Sequence, residues 1–134
     1  MSTNPPDTNQ ARSFSRIPFT LTLTSGKVVK GELVRHLAPF CIGTMLKMKR
    51  LRGFVTKEGN AVVLVSGVTA GLEKPVRRFG RGDVAFLPLD GSIRFILSET
   101  DASRPMNHIG NVLSGMEVLD SVNPGETADL LFQQ

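Results

Sequence analysis

Arg94 is the residue whose type and position most favour binding chemistry, because it interrupts the apolar run Ile93–Leu97. An arginine carries a permanent charge and five N–H donors, so its guanidinium can hold a carbonyl or carboxylate oxygen of a ligand. A strand with one solvated face would place an arginine at the same position without any ligand. Arg94 is therefore a candidate binding residue, and the alternative of a solvent-facing arginine stays open.

Two basic segments form the second candidate site. Their charged residues are Lys47, Lys49, Arg50 and Arg52 in the first segment, and Arg77, Arg78 and Arg81 in the second. Residues 27–81 hold twelve Lys and Arg against three Asp and Glu, whereas residues 82–134 hold two against eight. Converging basic segments could neutralise several phosphates of a nucleic acid, although Phe54 and Phe79 are the only rings nearby for base stacking. The basic half could equally pair with the acidic half of the same fold.

The sequence predicts neither a metal site nor a bound cofactor. His36 and His108 lie far apart, without Cys, Asp or Glu at metal-ligand spacing, and no motif of a catalytic nucleophile is present. The single cysteine, Cys41, excludes an internal disulfide and fits a reducing compartment. The chain has no apolar run of ~18 residues and no secretory signal at its start. We therefore expect a cytoplasmic protein without a membrane partner.

Apolar periodicity predicts the elements of the first half of the chain. A length of 134 residues is typical of one domain, and the polar residues 1–16 are predicted to form a disordered tail in front of a domain at 17–134. A period of two from Ile17 to Leu23 predicts a strand, with Lys27–Val34 as its hairpin partner. Apolar residues at helical spacing after Pro39 predict a helix that ends at Gly53.

The second half of the chain is predicted to be mostly strands and turns. Asp90-Gly91 between two apolar runs is a strong hairpin signal. The predicted elements are a hairpin of Phe54–Thr56 with Ala61–Val65, a surface loop over Ser66–Arg81, a hairpin of Val84–Leu89 with Ile93–Leu97, a polar loop over Ser98–Asn107, a strand at His108–Val112, a short helix at Met116–Val122, and a last strand at Ala128–Phe132. Together they predict a closed β-barrel.

Several motifs resemble cyclophilins and, more closely, a family of uncharacterised bacterial and archaeal proteins with a cyclophilin-like fold. The motifs are Gly82-Asp83-Val84, Phe86, Pro88, Asn107–Val112, the run His108–Val122 and Gly125-Glu126. The resemblance covers about Ile17 to Phe132 at the level of pattern. It implies a mainly-β closed barrel of about eight strands, with one regular helix and one short helix.

The resemblance also implies a ligand groove on the outside of the barrel. Its candidate residues are Phe54, Thr56, Lys57, Arg94 and Phe95. Cyclophilins place a catalytic arginine where this chain has Thr56 or nearly so, and Lys57 is the nearest cation. The glutamine position holds Ile93, Met106 falls where a histidine is expected, and the chain contains no tryptophan. Because these positions do not match, an isomerase activity is not the first expectation.

Three functional hypotheses follow. The first is a non-catalytic or weakly catalytic module that binds an extended peptide, a protein partner or a small ligand in the outer groove. The second is a basic module associated with nucleic acid or ribonucleoprotein. The third is a subunit whose barrel only scaffolds a larger assembly, and a genuine peptidyl-prolyl cis–trans isomerase is a further alternative. The oligomeric state is left open.

Overall fold

The computed structural model describes residues 15–133, which contain nine strands, two α-helices and one 3₁₀ turn. The strands are β1 (Arg16–Leu23), β2 (Val28–Val34), β3 (Arg50–Glu58), β4 (Ala61–Val65), β5 (Val76–Phe79), β6 (Asp83–Leu87), β7 (Ser92–Ile96), β8 (Thr100–Ser114) and β9 (Thr127–Phe132). The helices are α1 (Pro39–Met48) and α2 (Met116–Asp120), and Arg35–Leu37 forms the 3₁₀ turn. The predicted tail lies mostly outside the described residues, and Arg16 already begins β1.

Eight of these strands close into an antiparallel barrel. They follow the order β2, β1, β9, β3, β4, β7, β6 and β8, and β8 returns to pair with β2. The ninth strand, β5, pairs with the first half of β8 outside the barrel. The predicted mainly-β closed barrel, with one regular helix and one short helix, is therefore confirmed.

The barrel interior is built by the period-two pattern of the strands. Ile17, Phe19, Leu21 and Leu23 all point inward from β1 and are buried. In β2, Val29 is buried whereas its neighbour Val28 is partly exposed, as alternation along a strand requires. Burial of each large apolar side chain stabilises the fold by roughly 1.5–3 kcal/mol, so this interior is the main source of stability.

Glycine permits the close approach that shuts the barrel. Gly110 in β8 lies against β2, and a Cβ atom at this position would meet the main-chain oxygen of Glu32 at 2.0 Å. Gly31 in β2 is similarly crowded, because its Cβ would lie 2.4 Å from the main-chain oxygen of Asn111. A side chain at either position would push the two closing strands apart.

Helix α1 packs its apolar stripe into the same core. The buried members are Cys41, Ile42, Met45 and Leu46. No side chain of the residue before the helix caps it, and Glu73 does so instead by accepting hydrogen bonds from the N–H groups of Phe40 (3.0 Å) and Cys41 (2.7 Å). The sequence predicted that the helix ends at Gly53, but α1 ends at Met48. Gly53 lies in β3, where a Cβ would approach the oxygen of Val65 to 2.7 Å.

Two predicted loops contain strand. The segment Ser66–Arg81 includes β5, and the predicted polar loop Ser98–Asn107 is largely the first half of β8. Phe79 of β5 and Met106 of β8 are buried on the outside of the barrel wall, where they form a second apolar cluster. Its members are Ala61, Val63, Phe79, Ala85, Leu87, Ile96 and Met106, with Ala102 packed against them. The β5–β8 pair is thus anchored on the outer face of the barrel.

Candidate functional site

A cavity of about 440 Å³ lies on the outer face of β4, β6 and β7, beside the first half of β8. Its apolar lining comes from Ala61, Leu87, Ile96, Ala102 and Met106. Its polar lining comes from Glu58, Asn60, Arg94, Thr100, Asp101, Ser103 and Arg104, together with the backbone of Gly59. Pockets of ~300–1,000 Å³ with an apolar lining and a few polar groups are typical of ligand sites. We call this cavity the outer pocket.

The wall of the outer pocket is created by an irregularity in β8. Asp101 pairs with Arg78 and Met106 pairs with Val76, so the four residues between Asp101 and Met106 face a single residue of β5. Such a bulge bends a strand and redirects its side chains. Arg77 fixes the bulge, because its guanidinium donates a 2.8 Å hydrogen bond to the main-chain oxygen of Ser103. Residues 102–104 thereby line the outer pocket.

Arg94 reaches this pocket from β7 and is held in a fixed position. Its side chain is only 15% exposed. Its Nε donates to the hydroxyl of Ser92 at 3.0 Å, and its Nη2 lies 3.3 Å from an oxygen of Asp90 and 3.5 Å from one of Glu58. Nη1 makes no hydrogen bond with any residue that the structure describes. A rigid guanidinium with free donors is suited to bind an oxygen atom of a ligand.

The Asp90 carboxylate stays ionised beside this arginine. Partial burial alone would raise the pKa of Asp90, but hydrogen bonds from Ser92 and the charge of Arg94 outweigh it and lower the pKa below its usual value. The main-chain N–H of Ser92 contributes one of these bonds, at 3.0 Å. Asp90 and Ser92 therefore act as positioning residues for the Arg94 side chain.

Arg104 is the second cation of the outer pocket. It lies in the bulge of β8 and its side chain is exposed. Within residues 15–133 it forms no ion pair, unlike Asp101 on the same wall, which binds Arg78 at 3.0 Å. Nothing in the sequence pattern singled out Arg104, Ala102 or Ser103, because they fell in a predicted loop. Met106, where the resemblance expected a histidine, does line the pocket.

The five groove candidates do not form one cluster. Arg94 lines the outer pocket, whereas Phe95, the next residue on β7, points into the barrel, is fully buried and packs its ring 6.1 Å from that of Phe19. Phe95 cannot be the floor of an outer groove, because successive residues of a strand face opposite sides. This part of the prediction is wrong.

The three candidates on β3 lie outside the pocket lining. Thr56 is exposed and pairs with Val63, which in turn pairs with Arg94, so the three share the outer face. Phe54 is 67% exposed, and Val65, which lies two residues after Val63 on β4, is 55% exposed. Lys57 turns away and donates a 2.7 Å hydrogen bond to the main-chain oxygen of Asp120. Phe54 and Thr56 thus lie on the same barrel face as the pocket, one strand beyond it.

The first basic segment is largely neutralised by its own chain. Arg50 and Arg52 both bind the Asp129 carboxylate of β9, with Nε–Oδ1 distances of 3.1 and 2.9 Å. Hydrogen bonds from Arg52 and then Arg50 hold the pKa of Asp129 well below its usual range. Lys47 and Lys49 are exposed and form no ion pair among the described residues.

Two of the three arginines of the second basic segment are also paired with acidic residues, and the segment lies elsewhere in the strand order. Arg78 binds Asp101 and Glu99, and Arg81 binds Asp120 at 2.8 Å. Four strands separate β3 from β5 in the sheet. Strand pairing therefore does not bring the two basic segments together. Pairing between the basic and acidic halves of the fold thus accounts for Arg50, Arg52, Arg78 and Arg81, whereas Arg77 binds a main-chain oxygen.

No cluster of His, Cys, Asp and Glu suited to a metal ion occurs within residues 15–133. His108 is engaged with its own neighbourhood, since its Nε2 lies 2.9 Å from the oxygen of Gly110 and 3.5 Å from Asp83. None of the helices in this part of the chain is long and apolar enough to cross a membrane.

Comparison with known proteins identifies the fold. No family model and no curated protein matches the chain. The solution structure of a hypothetical protein from Archaeoglobus fulgidus is similar, with a TM-score of 0.73, 19% identity, and coverage of 87% of this chain and 95% of that one. The structure of McbB in complex with tryptophan is similar at a TM-score of 0.72 and 10% identity, covering 84% of this chain and 44% of McbB. At such identities the likeness extends to the barrel fold alone.

Proposed function

We propose that the protein is a cyclophilin-like binding module that holds a short stretch of peptide in the outer pocket. The observation that carries this proposal is the combination of an apolar lining with the guanidinium of Arg94, which is fixed in place and keeps free donors. An apolar side chain of the peptide would rest on Ile96 and Met106. A main-chain oxygen of the same peptide would accept from Nη1 of Arg94.

The neighbouring surface supports a peptide rather than a compact ligand. Phe54 and Val65 are exposed apolar side chains on the same face, and Thr56 is exposed beside them, whereas Val63 between Thr56 and Arg94 is buried. An extended peptide could continue from the outer pocket over this strip. A small ligand with an apolar body is the other form of the proposal; McbB, 44% of which is similar to this chain, has been solved in complex with tryptophan.

Arg94 also supports a second candidate, weak peptidyl-prolyl isomerase activity. The rotation barrier of a peptide bond is ~18–20 kcal/mol, and a donor aimed at the prolyl nitrogen would weaken the double-bond character of that bond. Arg94 lies on β7, however, and the β3 position of the cyclophilin arginine corresponds to Thr56. We therefore expect binding with little or no acceleration of cis–trans exchange.

Binding should be tested with dye-labelled hexapeptides that carry Leu, Phe or Pro at one position at a time. The variant Ala102→Leu adds a large side chain to the pocket wall and should weaken binding by at least ~10-fold, because a filled pocket loses its apolar contact area. Val28→Leu is the matched control, since Val28 is an exposed apolar residue of β2 outside the pocket. Equal loss in both variants, or no binding by the unaltered protein, would overturn the proposal.

The isomerase alternative needs a separate measurement. Exchange NMR on an Ala-Pro peptide reports its cis–trans rate with and without the protein. A rate unchanged at stoichiometric protein supports a binding module. A catalysed rate that falls by roughly 10²–10³ in Arg94→Lys would instead establish an enzyme, because that loss is typical of a displaced catalytic donor.

A further inference from the structure

The acidic and basic side chains of the outer pocket differ in how many of their hydrogen-bonding groups already have partners. Its acidic residues already have partners, since Asp101 binds Arg78 and Glu58 lies 3.5 Å from Arg94. Arg104 has no ionic partner within the described chain, and Arg94 keeps the donors of its Nη1 unused. The unused hydrogen-bond donors on the pocket walls therefore belong to two arginines that reach it from different strands, Arg94 being already paired with Asp90 and Glu58 through its Nη2.

We infer that the outer pocket recognises the C-terminal end of a peptide, with the terminal carboxylate between Arg94 and Arg104 and an apolar last side chain on Ile96 and Met106. This inference rests on the proposed function and specifies its ligand. A guanidinium binds a carboxylate through strong, charge-assisted hydrogen bonds. Two arginines around one pocket can thus distinguish an ionised end from a neutral peptide bond.

The geometry of a terminal residue fits the composition of the pocket. In such a residue the carboxylate and the side chain are attached to the same carbon atom, so one small cavity must offer cations and apolar surface together. The outer pocket does so, since Arg94 and Ile96 are alternate residues of β7 that share its outer face. Arg104 and Met106 provide the same pair of properties from β8.

The test compares one dye-labelled hexapeptide ending in leucine as the free acid and as the C-terminal amide. The free acid should bind at least ~10-fold more tightly, because the amide loses the charge-assisted bonds. Arg104→Gln should reduce this preference to about twofold, and Arg104→Lys should keep much of it because the charge remains. Lys47→Gln is the matched control: it removes one exposed cation on α1 that has no ion pair within residues 15–133, and it should leave the preference intact.

Glu58 provides a test of opposite sign. Its carboxylate is exposed at the pocket rim near Arg94 and would repel the terminal carboxylate. Glu58→Gln should therefore strengthen binding of the free acid by about threefold and leave the amide unchanged, a size typical of exposed charges. Weaker binding of both peptides in this variant would contradict the inference.

The outcomes separate this inference from the function on which it rests. If the acid and the amide bind equally and Ala102→Leu abolishes binding of both, recognition of the terminal carboxylate is overturned. The proposal of a peptide-binding module then still stands. Absence of binding by either peptide, and by peptides with internal apolar residues, would overturn both. If N-acetyl-leucine binds as tightly as the hexapeptide acid, the inference of a peptide end is overturned and the ligand is a small organic acid.

Discussion

The two halves of β8 differ in what surrounds them. Its second half, from Asn107 onward, lies between β6 and β2 and closes the barrel, with Ile109 fully buried. Its first half, from Thr100 to Met106, pairs only with β5, bulges outward and lines the outer pocket. One strand therefore provides both the closure of the barrel and a wall of the candidate site, and mutations in its two halves should have separable effects.

The largest expected effect is in the closing half. Gly110→Ala places a Cβ against the main-chain oxygen of Glu32, and a backbone clash of this kind should lower the free energy of unfolding by about 3 kcal/mol or more. Chemical denaturation measures the loss. Gly43→Ala is the matched control, because nothing lies within 4 Å of its added Cβ and it should stabilise α1 by roughly 0.5–1 kcal/mol. Similar stabilities of the two variants would show that β8 does not close the barrel as described.

A smaller loss is expected at the junction between the halves. Asn107 is fully buried, donates to the oxygen of Gly71 and accepts from the N–H of Glu73, each at 2.9 Å. Asn107→Ala leaves both groups without their partner and should cost about 2–3 kcal/mol in unfolding free energy. It should also loosen the Glu73 carboxylate that caps α1. Asn107→Asp keeps an acceptor for Glu73 but loses the donor to Gly71 and buries a carboxylate against that oxygen, so it should cost at least as much as Asn107→Ala.

Cys41 reports this loosening directly. Burial, partly offset by a hydrogen bond with Asn107 and reinforced by the charge of Glu73, raises the pKa of its thiol to about 12. A thiol reagent should therefore label the native protein slowly at pH 8, because little thiolate is present. Asn107→Ala should accelerate labelling of this single cysteine, whereas Gly43→Ala should not. An unchanged rate in Asn107→Ala would mean that Asn107 does not hold the segment against the helix.

The smallest effect on stability is expected in the pocket half. Arg104 is exposed and unpaired among the described residues, so Arg104→Gln should change the free energy of unfolding by less than ~0.5 kcal/mol. Its effect should appear only in ligand affinity. A stability loss of the size seen in Asn107→Ala would remove the distinction between the two halves.

Much of the architecture was predictable because it depends on local patterns. Alternation from Ile17 to Leu23, the Asp90-Gly91 turn and the helix after Pro39 each specify one element, and all three are present. The first half of β8 was missed because Pro105 and its polar neighbours are typical of a loop. The strand tolerates Pro105 because this residue lies in the bulge, where it faces no regular partner on β5.

The candidate site was predictable only at one residue. Arg94 could be recognised because a charge inside an apolar run is visible in the sequence. Arg104 and Ala102 join it through a pairing between β5 and β8 that connects residues more than twenty positions apart. Phe95 was assigned to the outer groove by the resemblance alone. A match of sequence patterns does not say which face of the strand a matched residue occupies.

In the proposed function, the first half of β8 forms the wall of a peptide site. Titration of ¹⁵N-labelled protein with the leucine-ended hexapeptide, with the amide shifts mapped onto the chain, tests this role of β8. We expect the largest shifts at Ala61, Ile96, residues 102–104 and Met106, with little change at residues 108–114. Shifts confined to Lys47–Arg52, or no shifts at millimolar peptide, would contradict the account.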